Sequence, residues 1–107
     1  MPEILITPAA ENDLVDIWAW IARDNREAAD KVYAAVEQTC VALAAMPAMG
    51  TAYRAKRPRL RGIRLFPVKL FRISIIYYRE TPAGIEIIRV LHTHMNARKR
   101  LARDAAT

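Results

Sequence analysis

Residues 70–79 read Leu-Phe-Arg-Ile-Ser-Ile-Ile-Tyr-Tyr-Arg, and residues 85–92 read Ile-Glu-Ile-Ile-Arg-Val-Leu-His. β-Branched and aromatic residues dominate the first stretch and apolar ones the second, as pleated, half-buried surfaces require. Thr81-Pro82-Ala83-Gly84 lies between them with the chemistry of a turn. The period-two rule puts Phe71, Ile73, Ile75 and Tyr77 on one face of the first strand. Leu70, Arg72, Ser74, Ile76 and Tyr78 share the other. We expect the Phe71 face to be the covered one, with Arg72 directed into an open surface. Just upstream, Arg61–Phe66 reads as a further strand, joined to the next by a tight connection at Pro67-Val68-Lys69. Residues 51–60 are basic, lack periodicity and read as a loop.

Upstream of this β-rich half the apolar period changes to that of helices. Ile4-Leu5-Ile6 is a short strand. Thr7 and Pro8 then have the character of an N-cap and a first helical residue. Ala10, Leu14, Ile17, Trp18 and Ile21 follow at spacings of three and four, one stripe along one face. Glu11, Asp13 and Asp16 lie toward the N-terminal end of that helix, where its dipole favours them. Asp24 and Glu27 have the spacing of a capping box for a second helix from about Arg26 to Met46. Its stripe is Ala29, Val32, Tyr33, Val36, Cys40 and Leu43. Val41 to Met46 is almost wholly apolar, which predicts the more deeply packed end. Pro47 and Gly50 close this helix. The short link between the helices favours an antiparallel hairpin. Its apolar stripe needs a partner surface, and a sheet with one apolar face supplies it. The expected fold is therefore α+β, in the order β-α-α-β-β-β. A helical hairpin packs on one face of a small, twisted, mostly antiparallel sheet, in a single domain over 1–107 with a basic tail from about Asn96. The neighbour of the first strand stays open.

The 107 residues carry a net charge of +6, unevenly placed. Residues 1–52 hold 3 basic and 8 acidic side chains; residues 53–107 hold 14 basic and 3 acidic. Such polarity suits a negative partner (nucleic acid, an acidic protein surface or an acidic partner chain), the plainer alternative being an ordinary solvated basic surface. No apolar run approaches the ~20 residues that span a bilayer. Met1-Pro2-Glu3-Ile4 has no signal-peptide character. The one cysteine, Cys40, reads as a core residue, and the pattern fits a reducing cytoplasm.

No HExxH, paired Cys-x-x-Cys or phosphate-loop motif is present, and no cofactor site is expected. His92 and His94 share a strand face but have no third metal ligand. Metal-free cleavage of RNA needs a base, an acid and a cation for the developing phosphate charge. Arg61, Arg72, Glu86 and His92 are candidates for these roles, with Glu86 on the same nominal strand face as His92. The plainer alternative is a strand-end histidine bonded to backbone and a glutamate paired with an arginine. Trp18, on the stripe, reads as core. Trp20, two residues off it, reads either as an exposed anchor for a partner or as a side chain at the hairpin edge. No aromatic–basic interleaving of an RNA-binding type marks the sheet.

Taken in order, these strings resemble the ParE branch of the RelE/ParE superfamily of bacterial toxins. The resemblance runs through Ala9-Ala10-Glu11-Asn12-Asp13-Leu14, Ile17-Trp18-Ala19-Trp20-Ile21, Asn25-Arg26-Glu27-Ala28-Ala29 and Leu43–Gly50. It continues through Arg61-Gly62-Ile63-Arg64, Arg72–Tyr77 and Arg89-Val90-Leu91-His92. It implies the same fold, and an antitoxin whose acidic and apolar C-terminal segment wraps the toxin. It implies inhibition of DNA gyrase by a non-enzymatic protein; RelE-like relatives instead cut messenger RNA on the ribosome. Trp20, Arg61, Arg64, Arg72, Arg89, His92 and Arg98 become the candidates for contact with antitoxin or target. The family's usual arginine–aspartate pair after the histidine is replaced here by Met95-Asn96, and no tyrosine of an RNase signature follows His92.

Overall fold

A computed structural model describes residues 2–53, 61–70 and 72–93, with the backbone alone described for Arg72. His94, Arg98 and the tail expected from Asn96 lie outside these residues, as does most of the basic loop. The chain runs β1 (Glu3–Ile6), α1 (Pro8–Ala22), α2 (Arg26–Ala45), a single 3-10 turn (Pro47–Met49), β2 (Thr51–Ala52), β3 (Ile63–Leu70), β4 (Arg72–Thr81) and β5 (Gly84–His92). The sheet order is β1-β5-β4-β3-β2. β1 runs parallel to β5, and every other pair is antiparallel. The α+β fold with a helical hairpin on a mostly antiparallel sheet is thus as the periodicity predicts, with one additional two-residue strand.

β1 lies so close to β5 that a Cβ on Gly84 would collide with the Glu3 backbone, so only glycine fits there. Thr7 then ends the strand and starts the helix. Its N–H donates to the Ile87 carbonyl at 3.1 Å and its hydroxyl to that of Ile88 at 2.8 Å. The same hydroxyl accepts the Ala10 N–H at 3.1 Å, the N-cap bond of α1.

Four local expectations are corrected. Asn25, not Asp24, caps α2: Asn25 is extended and its Oδ1 accepts the Ala28 N–H at 3.0 Å. The Asp24 N–H still bonds back to Ile21, closing the end of α1. Pro67, Val68 and Lys69 continue β3 in register with Ile75, Ser74 and Ile73, and the reversal falls between Leu70 and Arg72. Proline is tolerated because β3 is flanked on its outer side only by β2, which pairs with Arg64 and Leu65. The helices cover the opposite sheet face from the one expected. Ser74, Ile76 and Tyr78 are buried, whereas Ile73 is 39% exposed. Arg72 therefore shares strand parity with the covered face. Finally, Val41 and Met46 are exposed, and only Leu43 and Ala44 are buried at that end of α2.

The core forms between α1, α2 and the sheet. Ala10 and Ile17 meet Val32, Val36, Cys40, Leu43 and Ala44 of α2 and Val68, Ile76, Tyr78, Ile85, Ile87 and Val90 of the sheet. Fully burying one such large side chain contributes about 1.5–3 kcal/mol. The pairing of β4 with β5 shifts between Tyr77 and Tyr78: Tyr77 faces Arg89, whereas Tyr78 faces Ile87. Ile88 is the extra residue of a β-bulge, and it flips the side-chain alternation of β5. Ile85 and Ile87 face the helices before it; Val90 and His92 do so after it.

Candidate functional site

The bulge decides where the chemistry-bearing residues of β5 point. Glu86 stands between two buried isoleucines, opposite Arg79, on the side away from the helices. His92 is buried with 0% exposure on the helix side. The shared face expected for these two residues does not exist. The His92 ring is held by Ser74, with Nδ1 3.0 Å from Oγ. This is a buried side-chain contact across the β4–β5 ladder. Arg61 is exposed at the turn before β3.

Two of the sheet arginines are committed to internal bonds. Arg64 donates from Nη1 to the Gly50 carbonyl at 2.8 Å. Next to it, the Tyr78 hydroxyl donates to the Pro47 carbonyl at 2.7 Å and accepts the Gly50 N–H at 2.8 Å. Together they tie the chain leaving α2 to the sheet. A Cβ on Gly50 would meet the Tyr78 hydroxyl and lie 2.9 Å from the Leu65 carbonyl, so no side chain fits.

Arg89 grips Asp13 with both arms of its guanidinium: Nε to Oδ2 at 2.7 Å and Nη2 to Oδ1 at 2.9 Å. Asp13 Oδ2 also accepts the Val90 N–H at 3.0 Å. Here β1 has ended, and a carboxylate from α1 takes over as acceptor for the strand edge. The bidentate bond raises the Arg89 pKa above its usual value, against the opposing effect of burial. Asp13 was legible only as a residue favoured by the helix dipole; its place on the inner stripe is the site feature that sequence reasoning missed.

That carboxylate also explains the two tryptophans. They lie two residues apart, about 160° around the helix. With Asp13 buried, the inner stripe of α1 is Ala10, Asp13, Leu14, Ile17, Trp20 and Ile21. Trp20 packs half-buried against the core with Arg23 over its ring, 5.7 Å from the centroid. Of the two readings of Trp20, the structure has the partly buried side chain at the hairpin edge, not the exposed indole. Trp18 instead turns outward, and its indole N–H donates to Asp30 Oδ1 of α2 at 2.8 Å.

The outer side of the hairpin carries an apolar groove of about 450 Å³, lined by Leu14, Val15, Trp18, Asp30, Tyr33, Ala34 and Glu37. Val15 is 66% exposed and Tyr33 41%. Among the described residues no three His, Cys, Asp or Glu side chains gather as metal ligands. Among them, too, no helix is long and apolar enough to cross a membrane. Cys40 sits on the inner face of α2. Burial, with a smaller effect of the Glu37 charge, pushes its thiol from 9.0 up to about 11.

The fold is shared with a protein of known structure. A solved structure described as the chromosomal ParDE TA system from P. aeruginosa has a chain of the same fold, with a TM-score of 0.66 at 19% identity. The match covers 86% of this chain and 96% of that one. No curated protein matches. The profile of the ParE toxins of type II toxin–antitoxin systems, parDE, matches residues 4–97. The chain belongs to this ParE toxin family.

Proposed function

We propose that this toxin is a non-catalytic inhibitor of DNA gyrase, held inactive by a cognate antitoxin whose apolar segment lies in the α1–α2 groove. The observation that carries the non-catalytic reading is the burial of His92. A ring with 0% exposure, bonded to Ser74, offers no general base to an RNA backbone. Glu86, on the opposite face, offers it no partner. The groove supports the antitoxin assignment. It is concave and apolar and lies between the two helices, and Trp18 and Tyr33 are side chains of the kind that anchor an interface. Of the arginines proposed for charge contact whose side chains are described, Arg61, at the turn before β3, is exposed, while Arg64 and Arg89 present only what their internal bonds leave.

Purified protein is expected to block supercoiling by gyrase and to leave ribosome-bound messenger RNA intact. Cleavage of messenger RNA that Arg61→Ala or Glu86→Ala abolishes would establish the RelE-type ribonuclease in its place, with the residue whose loss abolishes cleavage in its active site.

A further inference from the structure

The groove has a charge opposite to that of the chain. The whole sequence carries +6, but residues 8–45, which form the hairpin, hold seven acidic and three basic side chains. Among the described residues, the charged ones lining the groove are Asp30 and Glu37. They are seven positions apart on α2, almost two full turns, and so project from the same side of the helix. Asp30 is tied to the Trp18 indole at 2.8 Å, which holds it at the groove wall.

An acidic segment, which the overall charge would select, meets like charge here and an unfavourable desolvation of Asp30 and Glu37. We propose that the segment seated in this groove is an amphipathic helix whose apolar stripe is flanked by lysine or arginine. The antitoxin then reads the hairpin with basic side chains, although the chain it neutralises is itself basic. Apolar contacts with Val15, Trp18 and Tyr33 give the complex its lifetime, and the basic flanks set the register along α2. This rests on the groove being the antitoxin site, and the two claims fail separately.

The test uses two synthetic amphipathic helices with the same Leu/Trp stripe, one flanked by lysines and one by glutamates. Their binding to the full-length protein is followed by fluorescence anisotropy. The lysine-flanked peptide should bind about tenfold tighter at low salt, with the gap narrowing as salt screens the charges. Asp30→Asn with Glu37→Gln should erase the preference, and Asp30→Lys with Glu37→Lys should reverse it. Val15→Arg should weaken both peptides. Equal binding of the two peptides, both weakened by Val15→Arg, overturns the charge assignment and leaves the groove as a docking site. Binding that ignores Val15→Arg, or no binding of either peptide, overturns both. A dimer that Glu37→Lys dissolves also overturns the assignment, since a second copy would then fill the groove.

Discussion

The two sides of helix α1 are built on opposite principles. On the inner side a charged residue, Asp13, is buried and every polar contact it makes is internal: the Arg89 guanidinium and the Val90 N–H. On the outer side apolar residues, Val15 and Trp18, face a groove alongside carboxylates. Hydrophobicity alone would place Asp13 outside and Trp18 inside. The contrast teaches that at this sheet edge a buried charge holds the fold together, while exposed apolar surface marks what remains available for a partner.

The sharpest way to break that contrast is to remove the buried carboxylate. Asp13→Ala leaves the Val90 N–H without its acceptor and Arg89 without its counter-charge. Losing one member of a buried, hydrogen-bonded pair costs about 3 kcal/mol. At roughly 4 °C per kcal/mol, the melting temperature should fall by about 12 °C, read by thermal denaturation. Asp13→Asn keeps an acceptor for one of these donors and should fall between Ala and wild type. A smaller loss is expected at the far end of the sheet. Tyr78→Phe deletes the hydroxyl that serves both Pro47 and Gly50. Leaving those backbone groups unpaired costs about 2 kcal/mol, measurable by urea denaturation.

These two anchors show where the sequence is readable and where it is not. The helix periods, the Thr7 cap and the β4–β5 hairpin are local, and local spacing carries them. The covered face of β4 is not local. Both faces of that strand hold isoleucine and tyrosine, so alternation cannot choose between them; Tyr78 lies inside because its hydroxyl meets Pro47 and Gly50, some thirty residues away. The bulge at Ile88 has no composition signal in a strand apolar on both faces, yet it separates Glu86 from His92. Asp13 is passed over in a hydrophobic stripe because it is charged, and omitting it turns the helix toward Trp18 and away from Trp20. The ParE strings, in contrast, name the family without any of these details.

Cys40 probes the inner face with an intermediate effect. Its thiol pKa is raised from 9.0 to about 11, mainly by burial. The folded chain therefore holds the proton more tightly than the unfolded one. This contribution is fully present below about pH 9 and is lost progressively as pH rises toward the folded value. At pH 10 wild type should have lost about 1 kcal/mol more stability, relative to neutral pH, than Cys40→Ala has. Paired urea titrations at pH 7 and pH 10 give that difference directly. A thiol reagent should be slow on the native protein and fast once urea unfolds it.

The smallest stability effect belongs to the outer face, and its smallness is the point. Val15 is 66% exposed. Val15→Arg removes little buried area, and surface changes of this kind stay within about 0.5 kcal/mol. A nearly unchanged urea midpoint, together with a loss of antitoxin binding of at least about tenfold, would show that the groove is shaped for a partner and contributes little to the fold. Asp13→Ala supplies the control, because it should lower stability about sixfold more in free energy while leaving every groove-lining side chain in place. If instead Val15→Arg destabilises the chain as much as Asp13→Ala, the outer face belongs to the core, and the two sides of α1 do not differ in kind.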